Sequence, residues 1–81
     1  MTEDLRARAQ SIDVTVWVGK AGVDAVVDEL DDQLANRDLV KVKFLRSARG
    51  TASTDALAED LTDRVDATLV ETRGNTGVFH R

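Results

Sequence analysis

The sequence predicts a single α/β domain, α+β-like and two-layered, with helices packed on a four-stranded mixed sheet. Three observations predict it. Segments that alternate at period two and segments that repeat at helical spacing follow one another as α-β-α-β-α-β-β through 81 residues. The strand–helix–strand units call for parallel pairing with right-handed crossovers. Near the end, RGNTG carries turn chemistry between two short strands, which closes a hairpin and makes the sheet mixed. No repeat, low-complexity tract or linker divides the chain, so residues 1–81 read as one domain.

The elements follow in order. Thr2 can cap a short first helix, with Glu3 and Asp4 where the helix dipole favours negative charge. Leu5, Ala9 and Ile12 give it a thin apolar stripe. Residues 13–18 alternate, with Val14, Val16 and Val18 on one face and Asp13, Thr15 and Trp17 on the other. After Gly19-Lys20-Ala21-Gly22, Asp24 is a candidate N-cap. Val23, Val26, Val27, Leu30 and Leu34 then recur at helical spacing, and Asn36, which tolerates a left-handed end, closes the helix. Residues 39–45 form the second strand, with Val40, Val42 and Phe44 opposite Leu39, Lys41, Lys43 and Leu45. SARGTAS is a loop by composition. Ser53 or Thr54 caps the next helix, whose stripe is Leu57, Ala58, Leu61 and Val65. ATLVET and GVFHR are the last two strands.

Composition narrows the function. The chain has no cysteine, which removes disulfides, thiolate catalysis and thiolate metal sites. His80 is the lone histidine, too few for a typical zinc site. No apolar run approaches the ~20 residues that span a bilayer. The N-terminus lacks an apolar signal core, so a soluble cytoplasmic protein is expected. The carboxylates fall on solvated helix faces without histidine or serine partners, so no catalysis, cofactor or small-molecule substrate is expected. Net charge is −4, with eleven Asp against three Lys. Such a surface fits very high intracellular salt, as in a halophile.

Gly19-Lys20-Ala21-Gly22 joins a strand to a helix. A nucleotide P-loop needs four residues between its glycines and then Lys-Ser/Thr, and a dinucleotide fold needs GxGxxG in a longer chain; neither is present. Two readings remain open. One is a plain turn. The other is a GxxG clamp, in which bare glycines let a sugar–phosphate backbone approach the peptide and Lys20 adds a cation. On the second reading Asp24 weighs against a phosphate. Charge placement favours the clamp. Arg37, Lys41, Lys43, Arg46 and Arg49 cluster against the single acid Asp38. The segment 24–32 has five acids and no base, and 53–66 has five acids against Arg64. The bland alternative for Lys41 and Lys43 is a solvated strand face. Trp17 could stack on a base or cover core beneath the first helix.

The run VTVWVGKAGV, then NRDLVKVKFL, then ATLVETRGNTGVFHR resembles the CRM domain, an RNA-binding module that also occurs as stand-alone YhbY-type proteins. The resemblance runs from about residue 5 to the C-terminus. It is most specific in V-G-x-x-G-V, in the LVKVK strand and in the closing Phe79-His80-Arg81. It implies a fold similar to the C-terminal domain of a bacterial translation initiation factor, and an association with ribosomal RNA and large-subunit precursors. The implied RNA-facing residues are Gly19, Lys20, Ala21 and Gly22, with Lys41 and Lys43 on the basic strand. Family members are usually basic, and this chain is acidic. The expectation is a non-catalytic, monomeric RNA-binding protein using Gly19–Gly22, Arg37, Lys41, Lys43, Arg46 and Arg49. The rival is a protein-interaction module whose acidic helices dock a basic partner.

Overall fold

The computed structural model describes residues 2–50 and 52–81, with side chains from Ala7 onward, apart from Thr51. The expected Thr2 cap and the place of Leu5 lie outside these side chains. The elements are α1 (Thr2–Ser11), β1 (Val14–Val18), a 3₁₀ turn (Val23–Val26), α2 (Val27–Asn36), β2 (Val40–Phe44), α3 (Arg46–Arg49), α4 (Thr54–Val65), β3 (Thr68–Arg73) and β4 (Thr76–His80). The four strands form one mixed sheet in the order β1-β2-β4-β3. β1 and β2 are parallel, and β4 is antiparallel to both β2 and β3. The returning strand of the hairpin thus inserts between β2 and β3.

One sheet face carries the main core. Val16, Val18, Val40, Val42, Phe44 and Phe79 meet Val23, Val26, Leu30 and Leu34 from the α2 segment and Ala58, Leu61 and Val65 from α4. Helical spacing puts each helix's apolar residues on one stripe, and burying that stripe is what holds the helix to the sheet. Gly77 permits the close approach of α4: a Cβ there would lie 3.3 Å from the Phe44 ring and 3.6 Å from Ala58 Cβ. On the other face α1 makes a smaller cluster of Ala9 with Leu39 and Val78, joined by Ile12 and Val70.

Several local expectations change. Val14 leaves the core face, because a bulge between Val14 and Val16 pairs Val14 with Lys41 and Val16 with Val42. Thr15 instead turns toward α2, its hydroxyl donating to Gln33 Oε1 at 2.6 Å. Asp24 is not the N-cap: the chain enters a 3₁₀ turn behind Gly22 with no side-chain cap. Asn36 does not adopt a left-handed end; α2 closes into an extended Arg37 while Asn36 Nδ2 donates to the Asp32 carbonyl at 2.9 Å. SARGTAS, expected as a loop, begins inside the one-turn helix α3, which takes in Ser47, Ala48 and Arg49. Between Ser53 and Thr54, the cap of α4 is Ser53, whose hydroxyl accepts from the Ala56 amide at 3.1 Å. The β3–β4 hairpin closes through Gly74-Asn75 with Gly74 at φ 59°, a two-residue loop led by glycine that suits the twist of paired strands.

Candidate nucleic-acid interface

The Gly19–Gly22 segment is a tight turn at the end of β1. The Gly22 amide donates to the Gly19 carbonyl at 2.9 Å. Gly22 sits at φ 85°, ψ −178°, a backbone region that is in practice reserved for glycine. A Cβ on Gly22 would meet nothing within 4 Å, so this corner faces open space. Lys20 and Ala21 at the tip are exposed, and among the described residues their amides have no acceptor. Gly19 has a different environment: its own Cβ would touch Leu45 Cδ1 at 3.8 Å and Ser47 Oγ at 4.0 Å.

β2 delivers its C-terminal end to the same place. The Leu45 amide donates to the Val18 carbonyl at 2.9 Å, so α3 starts beside the turn. α3 brings Arg46, exposed, and Arg49, half-buried with an Nε that finds no acceptor among the described residues. Lys43, on the last turnward position of β2 that faces away from the core, pairs in register with Trp17. Gly19, Lys20, Ala21, Gly22, Lys43, Arg46 and Arg49 therefore gather at one end of the sheet.

Two of the expected residues do not join them. Arg37 follows α2 at the opposite end of β2, and the intervening strand puts it roughly 20 Å from the turn. Lys41 turns under α1, its Nζ 3.5 Å from the Ala9 carbonyl, one of the carbonyls a helix end leaves unpaired. Trp17 does not serve as buried core: it stays 54 % exposed. The sequence pattern does not single out Arg73, which reads as part of a turn. It ends β3 opposite Thr76, at the same end of the sheet as Gly19–Gly22.

The objection raised by Asp24 weakens. Its carboxylate pairs with Arg64 of α4, which also holds Asp60 at 3.1 Å. The hydrogen bond to Asp60, then the charges of Asp24 and Asp60, raise the Arg64 pKa above its ordinary value. The pairing is exposed and adds little stability, but it sets positive charge beside the nearest acid.

A family model for the CRS1/YhbY (CRM) domain matches residues 1–81. The chain belongs to the CRM domain family. A probable RNA-binding protein from Methanocaldococcus jannaschii is 39 % identical over 81 residues, all of this chain and 60 % of that protein. The chain thus spans less than two thirds of that relative's length. A solution structure of the hypothetical protein SAV1595 from Staphylococcus aureus, provisionally described as RNA-binding, superposes with a TM-score of 0.82 at 32 % identity, covering 99 % of this chain and 82 % of that one. The mixed α/β fold is therefore the CRM fold. The closing Phe79-His80-Arg81 has a structural role here. Phe79 is fully buried, and Arg81 donates to the Val65 carbonyl at 2.6 Å and pairs with Asp31. It ties the last turn of α4 to α2, at the far end from Gly19–Gly22.

Proposed function

We propose that this CRM domain is a non-catalytic RNA-binding protein that contacts ribosomal RNA, or a precursor of the large ribosomal subunit, through Gly19–Gly22. The observation that carries the reading is the turn itself. It combines a glycine-only backbone corner open to solvent, two tip amides without an acceptor among the described residues, and neighbouring cations on Lys20, Lys43, Arg46 and Arg49. A sugar–phosphate chain needs that combination: close approach, main-chain donors and positive charge. Membership of the CRM family and the RNA-binding descriptions of the two relatives point the same way. On this reading the protein works in the cytoplasm as a monomer and needs no cofactor.

The test is ultraviolet crosslinking in cells, followed by sequencing of the bound RNA. Gly19→Asp is the variant of choice, because Gly19 has no positive φ and an added Cβ there makes only ordinary contacts. It is expected to keep the fold, read by circular dichroism, and to lose crosslinks to large-subunit ribosomal RNA. Unchanged crosslinking by the folded variant rules the turn out. Protein partners that survive nuclease treatment of a pull-down would shift the reading to the acidic faces of α2 and α4.

A further inference from the structure

A row of four residues crosses the whole sheet beside the turn. Trp17 of β1 pairs in register with Lys43 of β2, Lys43 with Thr76 of β4, and Thr76 with Arg73 of β3. Each strand gives one residue. Their chain neighbours Val16, Val18, Val42 and Phe44 lie in the main core. Gly77 packs on that same side against Phe44, and Thr72 donates its hydroxyl to Asp55 of α4. Strand alternation therefore puts the row on the opposite face.

That face is the one α1 packs on, and the described side chains of α1 meet the neighbouring row. Val14, Lys41, Val78 and Glu71 are in register there, Val78 packs with Ala9, and Lys41 reaches the Ala9 carbonyl. No described side chain of α1 clusters with the Trp17 row. Trp17, 54 % exposed, is the single large apolar side chain left exposed among the described residues. Neither Lys43 nor Arg73 forms an ion pair among those residues, and the row itself contains no acid.

We propose that this row is a second RNA-contact surface, on which Trp17 stacks an unpaired base while Lys43 and Arg73 neutralise the flanking phosphates. It rests on the reading of Gly19–Gly22 given above and extends it: the RNA gripped at the turn carries a single-stranded tract next to the gripped segment. Charge complementarity selects the occupant, because one cation beside an aromatic ring and a second across the row, neither with an acidic partner among the described residues, stand on a molecule of net charge −4. The extent of the row argues against a protein. Three interstrand gaps span about 14 Å, enough for roughly four nucleotides at the ~3.4 Å spacing of a stacked strand. At one strand repeat, ~7 Å, in width, the row covers on the order of 100 Å², well short of the ~800 Å² that each side of a stable protein interface buries. Stacking also explains the position of the tryptophan. Every base has a π-face, so an aromatic ring beside a phosphate-binding turn adds affinity without demanding sequence.

The experiment titrates the full chain with twelve-nucleotide oligouridylate and with an abasic ribose–phosphate oligomer of equal length and charge. Trp17 is the one tryptophan, so its emission reports on stacking directly. Oligouridylate is expected to quench it saturably, and the abasic oligomer is not. Trp17→Ala should weaken oligouridylate binding about ten- to a hundredfold and leave the abasic oligomer unaffected. Trp17→Phe should restore most of the loss. Lys43→Ala and Arg73→Ala should each flatten the salt dependence of log K by about 0.7. If Trp17→Ala binds oligouridylate as wild type does while Gly19→Asp does not, the row is rejected and the turn stands. If both variants bind as wild type, both readings fall. If wild type binds no oligouridylate at all, the row is rejected, since stacking tolerates any sequence, and in-cell crosslinking decides the turn separately.

Discussion

Gly22 holds φ 85° with nothing within 4 Å of the place a Cβ would occupy. Any cost of a side chain there is therefore backbone strain rather than collision. Gly22→Ala is expected to lose about 1–2 kcal/mol of stability, since it forces an L-residue into a sparsely populated region. Gly19→Ala should stay within a few tenths of a kcal/mol of wild type, because its Cβ falls at ordinary contact distance from Leu45. Urea midpoints of the two variants, compared at equal slope, measure the difference. Equal midpoints would mean the turn has another shape in solution. Gly77 is limited by space instead. Its missing Cβ already lies 3.3 Å from a ring that is fully buried. Gly77→Val should cost about 1–3 kcal/mol by overpacking, which in a domain of this size lowers the melting midpoint by roughly 4–8 °C per kcal/mol. The sequence shows the glycines and their spacing. It does not show which one needs its backbone freedom and which one needs the room, because the neighbours that decide it come from β2, α3 and α4.

At the scale of elements, the sequence was legible wherever a pattern is local. Period-two alternation placed β2, and cap chemistry at Ser53 or Thr54 placed the start of α4, the structure choosing Ser53. Ser53→Ala tests that cap. It removes the acceptor of the Ala56 amide and is expected to cost about 1 kcal/mol, read as a lower melting midpoint without change in the far-ultraviolet spectrum of the folded state. No effect would mean that water serves the amide equally well. The illegible parts depend on partners. The bulges at Val14–Val16 and Leu69–Glu71 arise from how two strands register, and no single strand encodes them. They move Val14 off the core face and set Val70 beside α1. Lys41 and Lys43 are equivalent by alternation and differ only because α1 docks over one of them. Along the chain Arg37 belongs to the basic cluster, because sequence order carries no information on register. The sheet sorts charge by register instead, which sends Arg37 to the far end and brings in Arg73.

At the scale of the whole molecule, acids and bases are separated on one small particle. Asp28, Glu29 and Asp32 stand exposed on α2 with no cationic partner among the described residues. The acids that are paired, such as Asp24, Asp38 and Asp60, sit in exposed bridges of small individual worth. Self-repulsion should therefore outweigh attraction at low salt. Raising salt from about 0.1 to 1 M shortens the screening length from ~10 to ~3 Å, and the melting midpoint is expected to rise. A falling midpoint would show that the ion pairs dominate. RNA binding responds to the same screening in the opposite direction and is limited by how few cations the interface holds. Lys20, Lys43, Arg46, Arg49 and Arg73 can neutralise at most one phosphate each, so log K against log salt should fall no more steeply than about −3.5 on a single strand. On the proposed reading, a protein that holds RNA at high salt gains from this composition, because close main-chain approach at Gly22 and stacking at Trp17 would be screened far less than charge. Filter-binding or anisotropy titrations across that salt range give the slope. A value well beyond −3.5 would require more phosphate contacts than this end of the sheet supplies, and would place the RNA on a surface other than Gly19–Gly22 and the Trp17 row.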